Sequence, residues 1–260
     1  MHPYLASLTP TNTYCIGWDV GAWHCTTAKG KSCDALAILD PQGELVGNIT
    51  LGNLSPLLLE AATADDLISR LFAWCHAPLP QDPCSVVLGI DAALTLPPAL
   101  LALLRGEPYA QSEPFANSRT NPYLYRPTEH FLFQHRRNRT GLLSPIQDQI
   151  GSQATKAMHL LARFAPTVAA PGLWQSQQGN LIALEVYPAA CKNTHLATDT
   201  IQGYPQRGEP QSDGYDALMC ALVARTLLLT PELVEPPPAS SPPAEGWIWV
   251  PKEALMNCGD

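Results

Sequence analysis

Apolar positions along the chain form two patterns, short continuous runs and longer runs at helical spacing. YCIGWDVGA (14–22) reads as a strand ending in an acid and a glycine. DALAILD (34–40) and ELVGNITL (44–51) read as two more, with PQG between them as a turn. ATADDLISRLFAWCHA (62–77) places Leu67, Leu71 and Trp74 on one helical face, with acids near its start. CSVVLGID (84–91) and LIALEVYP (181–188) are the apolar runs of strands buried on both faces. PPALLALLRG (97–106) predicts a short helix, PIQDQIGSQATKAMHLLARFAP (145–166) a longer one, and SDGYDALMCAL (212–222) opens a helix running to about Leu229. GWIWVPKEAL (246–255) predicts a final short strand and turn.

The order is three strands, helix, strand, helix, strand, helix. The first three strands form an antiparallel meander, and the fourth and fifth, each after a helix, can join the sheet in parallel. The expected architecture is α/β: a mixed five-stranded sheet flanked by helices, with an extra C-terminal strand. This is also the order of the ribonuclease H-like fold. Residues 1–260 read as a single domain. Within it, 106–145 lacks periodicity and reads as an inserted loop region, and 231–245 reads as a proline-rich linker.

Composition narrows the class. Mean hydropathy is close to zero, and the longest apolar runs are far too short to span a bilayer, so no membrane partner is expected. MHPYLASLTPTNTY lacks the basic start and apolar core of a signal peptide, and a cytoplasmic location is expected. The eight cysteines include no CxxC pair, and several sit in apolar segments as buried free thiols do. His24, Cys25 and Cys33, or Cys75, His76 and Cys84, match no standard zinc spacing.

The net charge of −8 argues against a surface that coats nucleic acid broadly. Basic residues nevertheless gather between Asn117 and Thr140, where Arg119, Arg126, Arg136, Arg137 and Arg139 face only Glu129. Tyr123, Tyr125, Phe131 and Phe133 are interleaved with them. The segment reads equally as an anion site and as a solvated loop with packed rings.

Asp19 ends strand one, Asp91 ends strand four, and Asp213 and Asp216 open the last long helix. If strands one and four are neighbours, the carboxylates converge at one sheet edge. Acids so placed repel one another unless a divalent cation neutralises them, and hard oxygen ligands suit Mg²⁺ or Mn²⁺. Two such ions about 4 Å apart can clamp a phosphodiester. Each acid also has a bland reading. Asp213 and Asp216 have the spacing of N-cap and N3 residues. Asp91 can cap a turn and Asp19 can sit in a hairpin. Glu185, inside an apolar strand, ligates metal or pairs with an arginine such as Arg126, and the pairing is favoured.

IGWDVG (16–21), GIDAALTLP (89–97), YRPTEHFL (125–132), SPIQDQIGSQA (144–154), LEVYPAA (184–190), DGYDALMCALVA (213–224) and EGWIWVP (245–251) resemble, in order, motifs of the domain-of-unknown-function family 429. That family is regarded as predicted nucleases of ribonuclease H-like fold. The resemblance implies acidic positions at Asp19, Asp91 and Asp216, an arginine-x-threonine-acid motif at Arg126, Thr128 and Glu129, and a D-x-I-G pattern at Asp148, Ile150 and Gly151. A more distant likeness is to RuvC-type Holliday-junction resolvases, whose last helix opens with a D-x-x-D pair spaced as Asp213 and Asp216 are. The stretch HCTTAKGKSC (24–33) and the proline-rich insertion depart from the family pattern.

The leading expectation is a metal-dependent nuclease. Asp19, Asp91, Asp213 and Asp216 would hold Mg²⁺ or Mn²⁺. Arg126, Arg136, Arg137 and Lys29 would hold phosphates of a nucleic acid or nucleotide substrate, with Thr128 and Glu129 beside them. Tyr125, Tyr123 or Phe131 would stack on bases. Two alternatives stand beside it. IGWDVG followed by KGK (29–31) resembles the first phosphate loop of actin-like ATPases and sugar kinases, which implies a nucleotide phosphotransferase. A non-catalytic scaffold of the same fold is the other. Oligomeric state is not legible.

Overall fold

The computed structural model describes residues 5, 8–26, 32–110, 114–135, 144–148 and 150–255. In chain order its elements are β1 (Thr13–Asp19), β2 (Asp34–Leu39), β3 (Thr50–Gly52), α1 (Ser55–Glu60), α2 (Ala64–Trp74), β4 (Ser85–Asp91) and α3 (Pro98–Leu104). There follow α4 (Pro127–His135), α5 (Gly151–Phe164), β5 (Thr167–Ala170), β6 (Leu173–Gln175), β7 (Leu181–Val186), α6 (His195–Thr198), α7 (Asp213–Leu229) and β8 (Ile248–Trp249). The strands make one open mixed sheet in the order β3-β2-β1-β4-β7-β6-β5, with β8 paired to β7. β1, β4 and β7 are mutually parallel. β2 and β3 form the antiparallel meander with β1, and the β5–β6 hairpin runs antiparallel to β7.

The sheet has eight strands rather than the expected five and one extra. The β5–β6 hairpin was not legible because its strands are four and three residues long, too short to show a period. Gly172, at φ 73°, supplies the left-handed turn residue between them. The expected strand 44–51 contracts to Thr50–Gly52, with Leu45 held only by an isolated bridge to Leu39. α1 and α4 are additions, and α4 lies inside the region expected to be a loop. The helix expected from residue 145 starts at Gly151, because Ser144–Asp148 forms a turn in which Asp148 accepts from Ser144 N at 2.6 Å. The proline-rich segment is anchored, since Glu235 N donates to Val250 O at 2.9 Å and Trp247 Nε1 donates to Glu235 O at 2.9 Å.

Strand alternation divides the core in two. Cys15, Ala35, Ala37, Val87, Leu184 and Val186 pack with α7 on one face. Ile16, Trp18, Leu36, Ile38, Leu88 and Ile90 pack with α1, α2 and α5 on the other. Beyond its first turn α7 is apolar except at Arg225 and Thr226, and it lies across β1, β2 and β4. It touches the sheet backbone through two glycines. A Cβ on Gly17 would lie 1.8 Å from Ala217 O, and one on Gly89 would lie 2.4 Å from Cys220 O.

A buried ion pair joins the other layer. Asp34, at the start of β2, and Lys156, on α5, are both 0 % exposed and bonded to each other. Asp34 also accepts from Trp18 Nε1 and Gly21 N at 2.9 Å and from Leu54 N at 2.7 Å. Lys156 also donates to Ala22 O at 3.2 Å and Asn53 Oδ1 at 3.3 Å. The pair thereby ties the turn after β1, the start of β2, the entry to α1 and α5. Lys156→Met strands a buried carboxylate and is expected to cost about 3–5 kcal/mol. Urea unfolding measures this, and a loss below about 1 kcal/mol would refute the assignment.

Candidate acidic site at the carboxyl edge of the sheet

Because β1, β4 and β7 are parallel, their carboxyl ends meet at one edge, where antiparallel β2 begins. That edge carries a row of acids across four neighbouring strands: Asp34 on β2, Asp19 on β1, Asp91 on β4 and Glu185 on β7. Asp19 and Asp91 are direct register partners, and Glu185 pairs with Ile90. Alternation puts Asp19 and Asp91 on the α7 face, two residues beyond Gly17 and Gly89. Asp34 and Glu185 fall on the opposite face.

The outer acids are neutralised. Asp34 has Lys156. Glu185 takes Arg126 through both guanidinium ends, at 2.7 and 2.8 Å, and accepts from Leu94 N at 3.0 Å. The inner acids are not. Among the described residues neither the Asp19 nor the Asp91 side chain has a hydrogen-bond or ion-pair partner.

α7 adds two more acids. Two strand residues rise about 6.6 Å and one helical turn about 5.4 Å. The contacts of Gly89 with Cys220 and of Gly17 with Ala217 therefore set Asp91 opposite Asp216 and Asp19 opposite Asp213. The electrostatics agree. Burial, then Asp91, Asp213 and Asp216, push Asp19 up to about 9. Burial, then Asp216 and Glu185, hold Asp91 well above the usual carboxylate range. Burial raises Asp216 to about 6, with Lys192 opposing the shift and Asp213 adding to it.

A cavity of about 290 Å³ opens over this edge, lined by Asp19, Asp91, Glu185, Gln153 and Tyr187 among others. Asp216 lines a neighbouring cavity instead, so the expected convergence in one cleft holds for Asp19 and Asp91, with Asp216 across a shared wall. Asp213 is tied down by Cys33, whose N donates to Oδ2 at 2.9 Å. Neither α7 acid is the N-cap; that position belongs to Ser212, whose Oγ accepts from Tyr215 N at 3.3 Å. Among the described residues no three His, Cys, Asp or Glu side chains are gathered into a set that could hold one ion.

Several residues expected to touch substrate are structural. Arg126 is 1 % exposed and shared between Glu185 and Glu129, which lies 2.6 Å from it. Thr128 is buried and accepts from Ile248 N at 3.0 Å, fixing β8. Tyr125 is buried with its ring against Phe133, and Phe131 packs on Trp247. Asp148 serves its turn. The favoured pairing of Glu185 with Arg126 is present. Arg136, Arg137 and Lys29 lie outside the described residues. The described cysteines are unbridged, and all but Cys84 are buried.

The Asp34–Lys156 pair was missed, although a signal existed. Lys156 stands in line with Leu160 and Phe164 on the apolar stripe of α5, where a lysine needs a buried partner. No helix among the described residues is long and apolar enough to cross a membrane. Comparison with family models, curated proteins and solved structures finds no match to this chain.

A pH dependence follows from the raised acids. Asp19 keeps its proton in the folded protein up to about 9, whereas the unfolded chain releases it near 3.8. The folded state thus holds more protons between those values, and the stability of metal-free protein falls as pH rises through that window. Asp19→Asn is expected to flatten the slope and to raise Tm at pH 8. Thermal melts at pH 5 and pH 8 check this, and an unchanged slope in the variant would count against a shared acidic edge.

Proposed function

We propose that the chain is a metal-dependent nuclease of ribonuclease H-like fold, hydrolysing phosphodiester bonds, as its resemblance to family 429 implies. The observation that carries this reading is the contrast along the sheet edge: two outer acids each neutralised by a buried cation, two inner acids left without one. The β3-β2-β1-β4-β7 order, with an antiparallel meander followed by two parallel strands, supports the fold assignment.

The donor set fits a hard divalent cation. Asp19 and Asp91 offer only carboxylate oxygens, and their burial beside Asp213 and Asp216 is a repulsion that Mg²⁺ or Mn²⁺ would relieve. Asp19 and Asp91 would hold the ion, and Asp213 or Asp216, which are not gathered with them into one set, would have to turn toward the pair to complete the shell. When bound, such an ion supplies Lewis acidity at a phosphoryl oxygen. The chain itself supplies the rest. Asp216, raised only to about 6, ionises well before Asp19, which is raised to about 9. Gln153, on the α5 side of the cavity, has a carboxamide suited to donate to a phosphate oxygen. Arg126 acts at a distance, holding Glu185 away from the inner pair so that β7 adds no further unpaired charge.

The net charge of −8 fits a single strand, a structured nucleic acid or a small nucleotide better than a long duplex. Calorimetric titration of metal-free protein with Mn²⁺ tests the reading. Saturable binding is expected, lost in Asp19→Asn and Asp91→Asn, together with a roughly hundredfold or greater fall in hydrolysis of single-stranded oligonucleotides. No binding up to millimolar Mn²⁺ with an oligonucleotide present would sink it.

A further inference from the structure

The turn that leaves β7 separates two cavities. Tyr187 and Ala189 face the cleft of Asp19 and Asp91, while Pro188 and Lys192 face a second cavity of about 270 Å³. Asp216 lines this second space, together with Gln202, Gln211 and Tyr215. Because residues 187 to 189 alternate between the two cavities, the second adjoins the acidic edge across this one turn.

Its chemistry differs from that of the first. Lys192 is only half-buried, and among the described residues it has no ion pair and one hydrogen bond, from Nζ to Gln211 Oε1 at 3.1 Å. That bond occupies the Gln211 oxygen and turns its amide group into a spare donor. Gln211 holds a left-handed backbone, φ 68°, rare outside glycine and a conformation that the surrounding structure must stabilise. Tyr215 lines the same cavity. A cation and an amide donor therefore line a space whose wall also carries Asp216.

We propose that this second cavity is a phosphate subsite, in which Lys192 and Gln211 hold a substrate phosphate next to the one that reaches Asp19 and Asp91. The assignment rests on the nuclease reading for its role, though the anion-binding chemistry stands on the cavity alone. A lysine binds phosphate as a point charge, and its bond to Gln211 Oε1 orients the ammonium. Such a subsite makes the acidic cleft selective for a strand with more than one phosphate, and it offsets the repulsion that the acids impose on an incoming polyanion.

The test is calorimetric titration of the metal-free protein with inorganic phosphate. Saturable binding is expected, weakened about tenfold or more in Lys192→Met, recovered in Lys192→Arg and not weakened in Asp19→Asn. Because Lys192 makes a single side-chain bond, the variants are expected to fold, which circular dichroism verifies. Competition separates the sources. An oligothymidylate that displaces phosphate better than thymidine monophosphate does supports a strand subsite; displacement by the monophosphate alone overturns the strand assignment. Phosphate binding equal in wild type and Lys192→Met, or absent from the wild type, overturns the subsite. Phosphate binding without any Mn²⁺ binding would support the cavity and overturn the nuclease reading.

Discussion

Helix α7 rests on the sheet backbone because Gly17 and Gly89 present no side chain to it. A single methyl at either position would enter the backbone of Ala217 or Cys220. This close approach has two consequences. It lets a helix that is apolar over most of its surface bury most of its length in the core, where burial of each large aliphatic side chain contributes about 1.5–3 kcal/mol. It also fixes the register between helix and strands, so that one turn before the contacts the helix offers aspartates to the aspartates two residues further along β1 and β4. The acidic edge is therefore a by-product of glycine packing, and its spacing cannot drift without separating α7 from the sheet.

The sheet edge brings four carboxylates onto adjacent strands, and the protein treats them unequally. Lys156 reaches Asp34 from α5, and Arg126 reaches Glu185 from the segment before α4, each from the face opposite α7. Both cations are buried and bonded to several partners. The same helices bring no cation to Asp19 and Asp91. Leaving two half-buried carboxylates uncompensated, with two more on the facing helix, costs stability in the metal-free protein. Local rules are broken in this way mostly where function requires it.

Much of this was legible in the sequence and some was not. The strand ends at Asp19 and Asp91 could be read because continuous apolar runs stop there, and the parallel pairing of the two strands followed from the helices between them. The Glu185–Arg126 pairing was also legible, since an acid inside an apolar strand requires a cation. The assignment of Arg126, Thr128 and Tyr125 to substrate failed for a physical reason. A basic and aromatic segment looks alike in sequence whether its rings and charges face inward or outward, and only the fold of Pro127–His135 under Trp247 decides it. Asp34–Lys156 joins residues 122 positions apart, and no local pattern names the partner. Lys192 was passed over because its segment has no period at all.

The unequal acids also order their own ionisation. At neutral pH Asp216, beside Lys192, is largely ionised, while Asp19, raised to about 9, still holds its proton. A divalent cation loading onto Asp19 and Asp91 would have to displace those protons, so its affinity would tighten as pH rises over the range in which the metal-free fold weakens. Both trends come from one quantity, the protons stored at the sheet edge by burial and mutual repulsion. Lys192 opposes the rise of Asp216 and keeps that carboxylate charged ahead of Asp19, and that charge gives an arriving cation a partner before Asp19 has released its proton.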